Sequence, residues 1–314
     1  MLDQLSPKLQ RFEGASDRAY ESYQEYLEVC RQGDVAQVQQ LLAQQTQRGQ
    51  EWVSSGIEQN PRQQQRKTWW LVRGLEEAVK NENILVMEYL HSEGALIRYH
   101  TVEAAKSRGS WEFLLNHGLD VNNPMPEAKV PLLHVVSCND PELLTWFLSL
   151  GADPNYGPNE SRLLREEGAI QPYSQPEKDS GAALEMAAWE CDIEIFELLL
   201  EHGAKLENSL ALHRAMMRNS DDRIAFAERI LSHGADINRF GHLSPVPLRG
   251  GTALAVAARL GTLDEIRWLL EHGVDQYIGD SQGLTASHYA YSTVGSPVRF
   301  QRILDLLNEF KRPQ

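Results

Sequence analysis

Apolar residues along this chain recur at helical spacing in short bursts, and each burst runs into a glycine. Leu263, Ile266, Leu269 and Leu270 form one stripe at the period of an α-helix, closed by Glu271-His272-Gly273. Equivalent endings stand at Glu93-Gly94-Ala95, Asn116-His117-Gly118, Leu150-Gly151-Ala152-Asp153, Glu201-His202-Gly203-Ala204 and His233-Gly234-Ala235-Asp236. Ahead of the clearest stripe lies Thr252-Ala253-Leu254-Ala255-Val256-Ala257-Ala258-Arg259-Leu260-Gly261. This predicts two short helices broken at Gly261, with the Thr252 hydroxyl capping the first. Ala257 and Ala258 permit close helix approach, and Gly273 takes a left-handed conformation that ends the second helix. His272 in the last turn meets the negative end of the helix dipole.

The glycines at 94, 118, 151, 203, 234 and 273 mark a unit of about 33 residues with local insertions and deletions, which predicts a stacked array. Leu133-His134, Leu212-His213 and Thr285-Ala286-Ser287-His288 precede such endings, and Asp120–Asn122, Asp153–Asn155 and Asp236–Asn238 follow them. In these residues the chain resembles the ankyrin-repeat family over nearly all its length after residue 22. The resemblance implies an all-α repeat solenoid of ankyrin type, about eight units with short β-hairpin tips and capping terminal helices. It implies structural roles for His134, His213 and His288, which tie adjoining turns together. The family histidine is replaced by Glu76, Glu185 and Ala255 in their units.

Residues 1–22 are expected to cap a solenoid spanning 23–314, with inserted loops at 46–69, 156–180 and 239–250. The second loop carries Arg162-Leu163-Leu164-Arg165 and Tyr173; it is expected either as a passive insertion or as a lid or partner contact.

Composition narrows the setting. The net charge of −14 argues against nonspecific association with nucleic acid or anionic lipid, which calls for a basic face. The three cysteines, Cys30, Cys138 and Cys191, show no zinc-type spacing and are expected as free thiols in a reducing compartment. The start lacks a signal-peptide pattern, and no apolar run approaches the roughly 18 to 20 residues that span a bilayer. A soluble, monomeric protein of the cytoplasm or nucleus is expected, with no cofactor and no metal.

In the family, the residues after the paired alanines face a concave groove. Carried over, that strip holds Lys80 and Asn81, Lys106, Cys138 and Asn139, Trp189 and Glu190, Met217 and Arg218, and Arg259 and Leu260. The cations together with Trp189 and Met217 have the composition of a binding hot spot. A non-catalytic module that binds a partner polypeptide of acidic and aromatic character is the leading expectation. No nucleophile elbow, P-loop, dinucleotide fingerprint or zinc-protease motif occurs. The alternative is a small-molecule binder or cofactor-independent enzyme of cyclase, isomerase or dehydratase type. It would use Glu185, Glu190, His100, Tyr173 and Arg218 beneath the 156–180 loop.

Overall fold

The computed structural model describes residues 17–53, 61–122, 130–158, 177–241, 250–280, 282–293 and 297–311. The chain divides into two compact units, Met1–Asp120 and Val121–Gln314. In the N-terminal unit, α1 (Asp17–Gln32), α3 (Pro61–Lys80) and α5 (Tyr99–Ala104) pack in sequence as one row. The second row is α2 (Val35–Val53), α4 (Ile84–Ser92) and α6 (Arg108–Asn116). Tyr26, Leu75, Met87, Leu90, Trp111 and Leu114 are buried between the rows.

The C-terminal unit repeats this plan in five helix pairs among the described residues. Its first row is α7 (Pro131–Ser137), α9 (Ala182–Glu190), α11 (Ala211–Ala215), α13 (Ala253–Leu260) and α15 (Ala286–Thr293). The second row is α8 (Pro141–Ser149), α10 (Ile193–Glu201), α12 (Arg223–Ser232), α14 (Leu263–Glu271) and α16 (Pro297–Glu309). Each helix touches its partner in the pair and its counterparts in neighbouring pairs. Leu144, Phe147, Phe196, Phe226, Ile266 and Leu269 fill the core between rows, and Ala187, Ala188, Ala257 and Ala258 are buried in the first row. Their small side chains let those helices pack closely.

The helix endings work as their residues require. Gly273 has φ +83°, while its N–H donates to Leu270 O (3.1 Å) and that of Val274 to Leu269 O (3.1 Å). This pair of bonds satisfies carbonyls left over at a helix end. The histidine before the glycine adds another: the Nδ1 groups of His117, His202 and His272 reach the carbonyls of Phe113, Leu198 and Trp268 at 2.7 to 2.8 Å. His233 instead places Nε2 2.9 Å from Glu197 Oε2 on α10.

The Asp-x-Asn segments after the glycines join one repeat to the next. Asn122 donates to Gly151 O (2.8 Å) and accepts from Asp153 N–H (2.9 Å). Asn155 does the same to Gly203 O (3.0 Å) and Lys205 N–H (2.8 Å). Asn238 accepts from Asp275 N–H (2.7 Å). The expected hairpins are present as two isolated antiparallel bridges, Gly157 with Glu177 and Gly241 with Gly251. Among the described residues there is no extended strand.

Three expectations change. The loop placed at 46–69 is largely helix, because α2 runs on to Val53 and α3 starts at Pro61. The glutamines and basic residues there are good helix formers, and proline suits the first turn. The boundary at residue 22 falls inside α1, which packs on α3 as a full member of its row. Thr252 occupies the cap position of α13, but its side chain makes no capping bond. The middle parts of the 156–180 and 239–250 insertions, with Tyr173, lie outside the described residues.

Candidate partner-binding face of the C-terminal unit

Glu185, His213 and Ala255 share one register position in α9, α11 and α13, so the residues four positions on, Trp189, Met217 and Arg259, are equivalent. These three helices pack consecutively. Trp189 is 44% exposed and Leu260 45% exposed, large apolar surface on the first row of the unit. The Arg214 guanidinium lies 5.2 Å from the Trp189 ring centroid, a cation–π arrangement. Arg214 Nε also lies 3.5 Å from Glu185 Oε2, which holds the cation beside the indole. Glu190 is exposed, Met217 and Arg259 half-buried. At the end of the row Tyr291 is 77% exposed, with its ring 5.3 Å from that of Phe300.

Arg218 does not belong to this face. Its side chain is buried, with Nη1 donating to Cys191 O (2.9 Å) and Ala188 O (3.2 Å) at the end of α9. Nε and Nη2 form a fork to Asp222 Oδ1 (3.0 Å) and Oδ2 (2.8 Å), the two-point geometry a guanidinium suits. The guanidinium also covers the Phe226 ring at 4.4 Å. The hydrogen bond from Arg218 holds the Asp222 carboxyl below its usual range. The side chain is a tertiary cap for the end of α9, and its donors point inward.

Asn139 is likewise structural. It has φ +54°, the left-handed position that Gly261 fills after α13 (φ +74°). The pair preceding it is therefore Ser137 and Cys138, one residue earlier than expected. Its amide accepts from Asp192 N–H (2.8 Å) and donates to Asp192 Oδ2 (2.9 Å). Cys138 is half-buried and its thiol donates to His134 O (3.3 Å). Burial pushes the Cys191 thiol up to about 12, so it stays protonated and donates to Val136 O (3.2 Å).

The N-terminal unit carries the remaining positions. Lys80 and Lys106 are exposed, and Asn81 is exposed with its amide donating to Glu77 O (2.8 Å). Of the catalytic alternative, His100 is in this unit, with Nδ1 3.2 Å from Glu103 Oε2. Glu185, in the other unit, accepts from Leu210 N–H (3.0 Å) and faces Arg214, which commits both oxygens to joining α9 to α11. Tyr173 is outside the described residues. Among the described residues no group of three or more His, Cys, Asp or Glu is gathered as a metal site requires. No described helix is long and apolar enough to cross a membrane.

Sequence reasoning missed Arg214. It sits between His213 and Ala215, three residues before Met217 on the same helical face, and that i, i+3 relation was the available signal.

His213 plays the tying role assigned to it. Its Nε2 is 3.0 Å from Gly251 O, so the ring donates to the turn that opens the next pair. Burial, with smaller contributions from Arg239 and Arg214, lowers its pKa to about 4, and the ring is neutral near pH 7.

This two-row stack of helix pairs, closed by glycine ends and joined by asparagines, is the ankyrin-repeat architecture. Residues 212–307 match the family model for ankyrin repeats in three copies. Over these residues the chain carries ankyrin repeats. Its fold is similar to the human ASB11 ankyrin repeat domain, at 17% identity and a TM-score of 0.50, over 76% of this chain and 98% of that one. The ankyrin repeat domain of Bcl-3 aligns at 18% identity and a TM-score of 0.44, over 76% of this chain and 86% of that one. A search of curated protein sequences found no match.

Proposed function

We propose that the C-terminal unit binds a partner polypeptide across the exposed ends of its first-row helices, and that acidic and apolar side chains of the partner meet there. The observation that carries this reading is Trp189, 44% exposed with a guanidinium held over its ring. Exposed Trp beside Arg is the composition enriched at the energetic centres of interfaces. Met217, Arg259 and Leu260 extend the surface along consecutive helices, and the ankyrin resemblance implies recognition of proteins. Arg218 is replaced by Arg214 in the binding set. In an acidic chain (net charge −14), cations on this face would orient and select an acidic partner. The small-molecule alternative depends on a lid whose central residues lie outside those described.

The test is selection of displayed random peptides on the full chain, followed by calorimetric titration of the winners. Peptides carrying acidic and apolar residues are expected, and Trp189→Ala should weaken them by about 2 kcal/mol, near 30-fold. Winners that bind Trp189→Ala with unchanged affinity would move the binding surface elsewhere.

A further inference from the structure

We infer that this face reads its partner at two points of an extended segment: an apolar or aromatic side chain against Trp189 and Met217, and a carboxylate at Arg259, six residues away. The inference rests on the binding face proposed above and adds the spacing and the residue that reads charge.

Arg259 differs from its neighbours in the row. Arg214 is drawn to Glu185 (3.5 Å) and Arg218 is spent on Asp222 (2.8 Å). Arg259 is half-buried and forms no ion pair or hydrogen bond within the described residues. A guanidinium offers five donors in a planar fork suited to a carboxylate. Leu260 beside it is 45% exposed, so a bound carboxylate there would be partly shielded from water, which strengthens the pairing. The chain's net charge of −14 repels acidic segments from most other places, and this contrast gives the site its selectivity.

The spacing follows from the stack. Trp189 on α9 and Arg259 on α13 are equivalent positions two helices apart, with α11 and Met217 between them. Packed helices stand about 8 to 10 Å apart, giving a span of roughly 16 to 20 Å. A β-extended segment advances about 3.3 Å per residue and returns to one face every second residue, so an offset of six covers about 20 Å. A polyproline II segment advances about 3.1 Å with a period of three, and the same offset covers about 19 Å. Both extended forms select six. A helical segment, rising about 1.5 Å per residue, needs an offset of about 11 to 13.

The experiment uses labelled synthetic peptides with one Trp anchor and one Glu at offsets from two to thirteen in a neutral background. Binding to the full chain is read by fluorescence anisotropy. Affinity is expected to peak at offset six, about tenfold above offset three, and to fall about tenfold when that Glu is Gln. Arg259→Ala should abolish the Glu advantage, so that the Glu and Gln peptides bind with equal affinity, with circular dichroism confirming the fold. Arg259→Glu should transfer the preference to Lys. Binding that is lost in Trp189→Ala but indifferent to offset and to Arg259 overturns the two-point motif and leaves the face intact. An optimum at 11 to 13 overturns the extended occupant. Binding unaffected by Trp189→Ala, or no binding of any peptide at millimolar concentration, overturns both the motif and the face.

Discussion

At the scale of single residues, two buried groups determine how far the stack tolerates change. Arg218→Ala would leave the Ala188 and Cys191 carbonyls without their donor, and leaving buried acceptors unsatisfied costs about 1 to 3 kcal/mol. Urea denaturation should show that loss. Arg218→Lys should recover little of it, because an ammonium cannot reproduce the fork. His213 gives a pH dependence of definite sign. Its folded pKa of about 4 lies below the ordinary value near 6.5, so the unfolded chain takes up the proton first. Stability is fully present above about pH 6.5 and declines as pH falls toward 4, by about 3 kcal/mol in total. The difference between wild type and His213→Ala in pH-dependent melting isolates this contribution, and Ala255 shows that alanine fits the same position elsewhere. A difference that does not vary with pH would remove His213 as the cause.

At the scale of elements, the repeat-to-repeat bonds are made by short side chains at fixed places. Asn155→Ala removes the bonds to Gly203 O and Lys205 N–H together and should cost about 1 to 2 kcal/mol. Amide exchange should accelerate first at Lys205, in the segment after α10. Unchanged protection there would mean that the asparagine ladder carries no stability. Much of this element plan was legible in the sequence, because glycine in the left-handed position, histidine before it and Asp-x-Asn after it each have a local physical cause. The ends of α2 and α3 were not, since a Gln-rich run has no apolar period to betray a helix. Arg218 was misplaced for a different reason. Its register matches exposed Leu260, and only Asp222 in the lengthened turn, with the open carbonyls of α9, draws it inward. Asn139 was read one residue out of register because a non-glycine filled the left-handed position. Arg214 escaped notice because its neighbours, His213 and Ala215, are both buried.

At the scale of the whole C-terminal unit, the five described pairs pack mainly on their neighbours, so stability is close to a sum of pair and interface contributions. Ile266→Ala, at a fully buried position of α14, should cost about 2 to 5 kcal/mol. Hydrogen exchange should then rise over 253–311 more than over 131–149; an equal rise throughout would show that the unit opens as a single block. Helix α13 ends on its own glycine, whereas α9 borrows its cap from Arg218, 27 residues beyond Cys191. On the ribosome this imposes an order. The α9–α10 pair leaves the exit tunnel with its first helix unfinished, and it is completed only when α11 and the turn to Asp222 follow. At about 5 to 20 residues per second the delay is a few seconds. During that interval the carbonyls of Ala188 and Cys191 that Arg218 will cap are left to water.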